Sequence, residues 1–463
     1  MKDNIKYTTI IYDYKISKNL QNFIYYSLFI LSIYFVLEDF ILKFLPIPNN
    51  LYFLAKQFPD IFLFILYSFY LFIILTINKV KIPSHLSLYI FIIFVFYLLF
   101  TSLWITGLDF FAFANIKALI RYIFLLFIIY SLNLDNKKII NFIKLIILLS
   151  FLEAIIGFLE IFGGNTVLNF FMPRIIENNE MGITFTSVKA VLQGTGEIFG
   201  TLPYTINYSL FLLIGLCLWL FTARNIYKNL NFFTYIFGVL FLLIPLYFSG
   251  SRIGVLSAIF VILLYLKYKY GLKLFFISFV FLTLTLIFLY PFIPKEYTNS
   301  DFWAIFNPEY LENLKAQRLG IIEAFLSHLV NQDFIFGIGS DKSLVENYLW
   351  NNWNVPIYFG RIIEDVYWVA LTIYYGYFGV LIFIIFLLSL YFLISKKSTI
   401  KKDNLTSNFI FSIKVLFLLL IPLNFVNQAF EVRTFSFYFW VLLGITLSYI
   451  KNIEVGIENT PNK

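Results

Sequence analysis

Arg252 is the side chain whose setting is hardest to explain by packing alone. It stands in Ser249-Gly250-Ser251-Arg252-Ile253-Gly254, a tight turn between two apolar runs. Three trends oppose a cation there. The turn faces away from the lysine-rich links, against the positive-inside bias. Arg252 opens the following helix, where the macrodipole disfavours positive charge. It is also pinned between apolar runs and short of water. A bound anion would remove all three objections, because helix N-termini offer free N–H groups and arginine adds a bidentate fork. The plainer alternative is an arginine snorkelling to lipid headgroups.

Further charges sit in or beside apolar runs. Lys117 and Arg121 are four apart, on one helical face. Glu153 and Glu160 lie in the next run, and the expected role of Glu153 is an interhelical ion pair with Arg121. A long segment after Phe292 carries Lys315, Arg318, Glu323, Asp341, Arg361, Glu364 and Asp365. Within it Leu319, Ile322, Phe325, Leu326, Leu329 and Val330 follow helical spacing, which predicts an amphipathic helix at the membrane interface. A Gly337-Ile338-Gly339-Ser340-Asp341 turn follows. Arg361 and Glu364 would share a helical face, with surface pairing as the plain alternative.

These types suit one chemistry. Cations at one end of a helical bundle can hold a phosphate or diphosphate headgroup, and carboxylates beside it can move a proton. The candidate anion-binding groups are Arg252, Arg318, Arg361 and, more weakly, Arg121. The candidate bases are Glu364, Asp365, Asp341 and Glu323. The two histidines, His85 and His328, cannot form a histidine-rich metal site, and the single Cys217 excludes a disulfide framework. No strand precedes the lone Gly337/Gly339 pair, so a nucleotide loop is not expected. The expectation is no metal, no cofactor and no nucleic-acid partner.

The elements that must position these groups are membrane helices. Of 463 residues 60% are hydrophobic and 13% charged, against roughly 25% charged in soluble domains. Apolar runs of bilayer length recur along the chain. They predict twelve spans near 22–42, 59–77, 85–105, 115–132, 139–162, 203–222, 232–249, 252–267, 273–293, 375–395, 408–424 and 434–450. Basic links such as Lys79/Lys81, Lys137/Lys138, Arg224/Lys228, Lys267/Lys269/Lys273 and Lys396/Lys397 fall on alternate sides. That assigns their side, and both termini, to the cytoplasm. The same lysines account for most of the net charge of +8. The expected architecture is all-α: one transmembrane domain over 1–463, with long periplasmic loops at 163–202 and 294–374. Long loops are uncommon unless functional. The abundant Phe, Ile, Lys, Asn and Tyr share AT-rich codons, so the aromatic content carries no functional weight.

Four pieces of the chain resemble the O-antigen ligase and polymerase family. Phe248-Ser249-Gly250-Ser251-Arg252-Ile253-Gly254 is similar to the family's Ser-Arg-Gly turn, with Ile253 in the usual glycine place. Gly194 through Pro203 resembles its Gly-x-Phe-x-x-Pro stretch. Arg318 through Gly339 resembles the loop helix that ends in a Gly-x-Gly turn. Glu364-Asp365-Val366-Tyr367 through Gly379 resembles the segment entering the next helix. Ligases usually carry a histidine and then an asparagine in that last segment, where Glu364 and Asp365 stand here; His328 lies far upstream.

The resemblance therefore leans to the polymerase branch. It implies a metal-independent glycosyltransferase of the bacterial inner membrane, acting at the periplasmic face. Its substrates would be undecaprenyl-diphosphate-linked glycans, and its partners membrane lipid and a chain-length regulator. The alternatives are a ligase onto lipid A–core and, from another class, a flippase or transporter.

Overall fold

The computed structural model describes residues 18–76, 86–107, 110–132, 134–172, 177–178, 183–184, 197–289, 320–328, 334–353, 366–396, 404–426 and 428–458. They are helical apart from turns and a two-residue antiparallel pair, β1 (Glu177–Asn178) with β2 (Ile183–Thr184). The helices are α1 (Lys18–Phe44), α2 (Asn49–Lys56), α3 (Phe58–Thr76), α4 (Leu86–Thr106), α5 (Phe110–Ile120), α6 (Ile123–Ser131) and α7 (Asn136–Phe171). Then come α8 (Thr205–Ile226), α9 (Phe232–Phe248), α10 (Arg252–Tyr270), α11 (Leu272–Leu289), α12 (Gly320–Ser327) and α13 (Lys342–Trp353). The chain closes with α14 (Tyr367–Lys396), α15 (Leu405–Val426) and α16 (Arg433–Glu458).

A helix occupies each of the twelve apolar stretches. Eight are long and apolar enough to cross a bilayer: α4, α5–α6 taken together, α7, α8, α10, α14, α15 and α16. Among the others, α3, α9 and α11 are shorter apolar helices, and α1 carries Glu38 and Asp39 near its end. The chain is a polytopic helical membrane protein. In a lipid solvent the buried helices are those surrounded by other helices. In the spans of α8 and α16, 89% and 94% of positions are buried, against 28%, 33% and 33% in α4, α10 and α14. Phe64, Phe96, Phe162 and Phe233 stand on the outside, where hydrocarbon rather than water suits them. Small residues let the core helices approach: a Cβ on Gly444 of α16 would lie 3.0 Å from the Leu126 carbonyl of α6.

Two spans are kinked where glycine takes a left-handed conformation. α7 turns at Gly164 (φ 55°) and continues to Phe171, so the first long loop begins later than the sequence reading put it. Lys43 of α1 closes that helix end, donating to the Asn169 and Phe170 carbonyls at 2.8 and 2.7 Å. α14 begins at Tyr367, inside the stretch read as loop, and kinks at Gly376 (φ 72°). The kink frees backbone groups that cannot stay unpaired in the bundle. The Gly337 turn takes them: Ile338 N donates to the Ile373 carbonyl at 2.8 Å and Gly339 N to Tyr374 at 3.2 Å. A Cβ on Gly376 would come within 2.6 Å of Gly337 N.

Gly376→Ala should therefore lose about 2 kcal/mol or more, from a strained φ and a backbone clash together. Gly271 also has positive φ but faces open space, so Gly271→Ala should pay the strain alone. Thermal melting in detergent compares the two; equal losses would mean the Gly337–Gly376 contact is unimportant.

Candidate functional site

Two of the sequence motifs, the stretch ending at Pro203 and the Arg252 turn, meet at one end of the bundle, where α1, α7 and α9 finish and α8, α10 and α16 begin. The Arg252 turn is built by capping. α9 ends at Phe248, the buried Ser249 closes it, and Gly250 swings left-handed (φ 69°). Ser251 then caps α10, accepting from Gly254 N at 3.3 Å, so Arg252 is the first helical residue, as its sequence setting implies. A Cβ on Gly250 would lie 2.6 Å from Glu197 Oε1. Ile198 N donates to the Phe248 carbonyl at 3.4 Å. The stretch that ends at Pro203 thus packs directly on the Arg252 turn.

That stretch is a buried loop, and its backbone must find partners inside the protein. Two carboxylates of α7 supply them. Glu160 Oε2 accepts from Phe199 N and Gly200 N at 3.0 and 2.9 Å. Glu153 Oε2 accepts from Thr201 N at 3.0 Å. The Thr201 hydroxyl, with one hydrogen, donates either to Glu153 Oε1 at 2.5 Å or to the Val36 carbonyl of α1 at 2.8 Å. Glu153 is 1% exposed and Glu160 2%. The expected Glu153–Arg121 pair is therefore corrected: Glu153 serves the loop backbone, and Arg121 pairs elsewhere. The two glutamates are seven apart on α7 and grip three successive N–H groups, a spacing that matches two turns of helix.

Arg121 belongs to an ion network that links α1, α2, α3, α5 and α16. Asp60, at the start of α3, receives Lys117 Nζ at 2.9 Å and Arg121 NH1 at 3.2 Å; Arg433 NH2 lies 3.7 Å away. Arg433 NH1 holds both oxygens of Glu38 at 3.0 Å, and its NH2 donates to the Lys56 carbonyl at 3.0 Å. Lys56 pairs with Asp39 at 3.0 Å. Lys56, whose burial alone would push its ammonium down, is held above its ordinary pKa by the Asp39 carboxylate. Among the described residues, four cations (Lys56, Lys117, Arg121, Arg433) meet three carboxylates (Glu38, Asp39, Asp60), an excess of one positive charge.

Sequence reading missed Glu38, Asp39, Lys56, Asp60 and Arg433. One signal for Arg433 was present: like Arg252, it opens a span on the side opposite to the basic links. Glu38 and Asp39 likewise stand inside an apolar run, which marks them under the same rule.

Asp341 directly precedes α13 and accepts through its carbonyl from Val345 N. Its neighbour Ser340 receives Asn115 Nδ2 of α5 at 2.5 Å, so the Gly337 turn abuts the helix that carries Lys117 and Arg121. Glu323 is exposed on α12, a helix within the stretch predicted by the apolar spacing; Leu319, Leu329 and Val330 of that stretch lie outside the described residues. His328 closes that helix, with Nδ1 2.8 Å from the Ala324 carbonyl. Arg318, Arg361, Glu364 and Asp365 lie outside the described residues, as do Gly194 to Gly196. The structure thus brings the 197–203 loop to Arg252, and Ser340–Asp341 to the helix of Arg121. The first group connects to the second through Thr201, Val36 and Glu38.

Compared with protein-family models and with curated proteins, the chain matches none.

Proposed function

We propose that this chain is a polymerase joining undecaprenyl-diphosphate-linked oligosaccharide repeat units into O-antigen or a related surface polysaccharide. In this reading it is a twelve-span protein of the bacterial inner membrane with both termini in the cytoplasm, and the site faces the periplasm. The observation that carries it is the pairing of the four resembling segments: the 197–203 loop lies on the Ser249–Gly254 turn, and the Gly337–Gly339 turn lies on the Gly376 kink.

The reaction moves the growing glycan from its carrier to the next unit. The acceptor hydroxyl oxygen bonds to the donor's anomeric carbon as the bond from that carbon to the diphosphate oxygen breaks. The hydroxyl proton passes to a carboxylate, for which Asp341, Glu323, Glu364 and Asp365 are the candidates. The carrier diphosphate leaves with the bonding pair, and Arg252 at its helix N-terminus stabilises that developing charge. Arg318 and Arg361 serve the second phosphate or the second lipid. A preactivated donor of this kind needs no nucleotide and no metal. A chain-length regulator is the expected protein partner.

Gel analysis of lipopolysaccharide from a host strain lacking the chain tests this reading. The expected band is core plus a single repeat, with the ladder gone. Core alone, with long glycans left on the carrier, would assign the chain to ligation instead. His328→Ala, restored to that strain, should leave the ladder nearly unchanged; its loss would favour the ligase reading.

One observation favours a transporter or flippase. The α5–α6 span is broken at Arg121–Tyr122, beside charged groups, and the Tyr67 hydroxyl donates to the Arg121 carbonyl at the break. Discontinuous helices of this kind line substrate paths in transporters.

A further inference from the structure

A groove of about 510 Å³ runs along α3, α4, α5 and α6, and the glycan transfer proposed above does not use it. Its walls are apolar: Phe64, Tyr67, Leu99, Phe113, Ile116 and Phe124. Phe64 and Phe113 are 69% and 54% exposed, so the groove opens sideways from the bundle, towards the hydrocarbon. One end is polar, formed by Gln57, Asp60, Lys117 and Arg121.

We infer that this groove holds one chain of an anionic phospholipid, with the lipid's phosphodiester on Lys117 and Arg121. The shape suits a single hydrocarbon chain entering from the bilayer, and its volume is in the range of ligand sites. The charge selects the headgroup. Lys117 and Arg121 share Asp60, which Arg433 also approaches at 3.7 Å, while Arg433 is held by Glu38 and Lys56 by Asp39. Among the described residues one positive charge is left over at the mouth, which matches a phosphodiester monoanion; a diphosphate would bring more charge than the mouth neutralises. Lys117 is the accessible member, its side chain 38% exposed against 14% for Arg121. Its ammonium gives two donors to Asp60 and Gln57, at 2.9 and 3.1 Å, and has a third. The break at Arg121–Tyr122 lets α5 end beside these cations, where its dipole favours positive charge. This inference is independent of the polymerase reading, since it concerns a resident lipid rather than a substrate.

Native mass spectrometry of the full chain tests it. Delipidated protein is titrated with phosphatidylglycerol, phosphatidylcholine or undecaprenyl phosphate in the same detergent. The wild type should bind one phosphatidylglycerol at least about tenfold more tightly than phosphatidylcholine, the size expected for one charge-assisted contact. Lys117→Gln should remove that preference, and Leu99→Trp, which fills the groove, should remove the adduct. Both variants are first checked by size exclusion. Should either variant fail that check, Phe64→Trp on the exposed rim replaces it. Equal binding of the two phospholipids, or an adduct untouched by the variants, would overturn the inference. Tighter binding of undecaprenyl phosphate than of phosphatidylglycerol would also overturn it and give the groove to the carrier.

Discussion

Arg252→Ala is expected to lower polymer formation about 10²–10³-fold while the chain still inserts and folds, which is the scale for losing one preorganised charge stabiliser. The loss falls on the transition state, because charge on the departing diphosphate grows as the glycosidic bond breaks. Insertion should survive, since Arg252 is only the first residue of α10, its removal leaves the apolar run behind it unbroken, and the Ser251 cap on Gly254 N is untouched. Arg252→Lys should be impaired as well, because an ammonium lacks the planar fork that grips two oxygens at once. Immunoblotting of membranes separates lost activity from lost protein. A normal ladder with the alanine variant would refute the anion site at this turn.

Arg433→Ala should destabilise the folded chain by about 3–5 kcal/mol, the cost of leaving a buried charge without its partner. Glu38 is 4% exposed and takes both its oxygens' bonds from one guanidinium nitrogen. Arg433 also lies 5.3 Å over the Phe35 ring and holds the Lys56 carbonyl, so its removal loosens α1, α2 and α16 together. Adding Glu38→Gln should recover much of the loss, because the stranded charge is then gone and only packing is missing. A double-mutant cycle on melting free energies measures this coupling. Additive losses would mean that Arg433 acts through packing rather than through Glu38.

What could be read from the residues divides along physical lines. Apolar runs declare themselves because a bilayer demands unbroken hydrophobic length, so every predicted stretch holds a helix. The tight turn at Ser249–Gly254 and the helix start at Arg252 were equally legible, being local chemistry. Pairings between distant segments were not. Nothing near Glu153 says that it grips Thr201 rather than Arg121; that choice depends on a loop folding back between α1 and α7. Asp60 and Glu38 escaped notice because their role arises only where the helices set them against Arg121 and Arg433. The kink at Gly376 was hidden because its freed carbonyls are satisfied by a turn some forty residues upstream.

The polymerase reading is tested most directly by the purified full chain in proteoliposomes supplied with undecaprenyl-diphosphate-linked repeat units. The account predicts glycans of two and more repeats on the carrier, release of undecaprenyl diphosphate in step with each addition, and near-complete loss of both with Arg252→Ala. Unlengthened glycans that cross the bilayer intact would contradict it and make the chain a transporter.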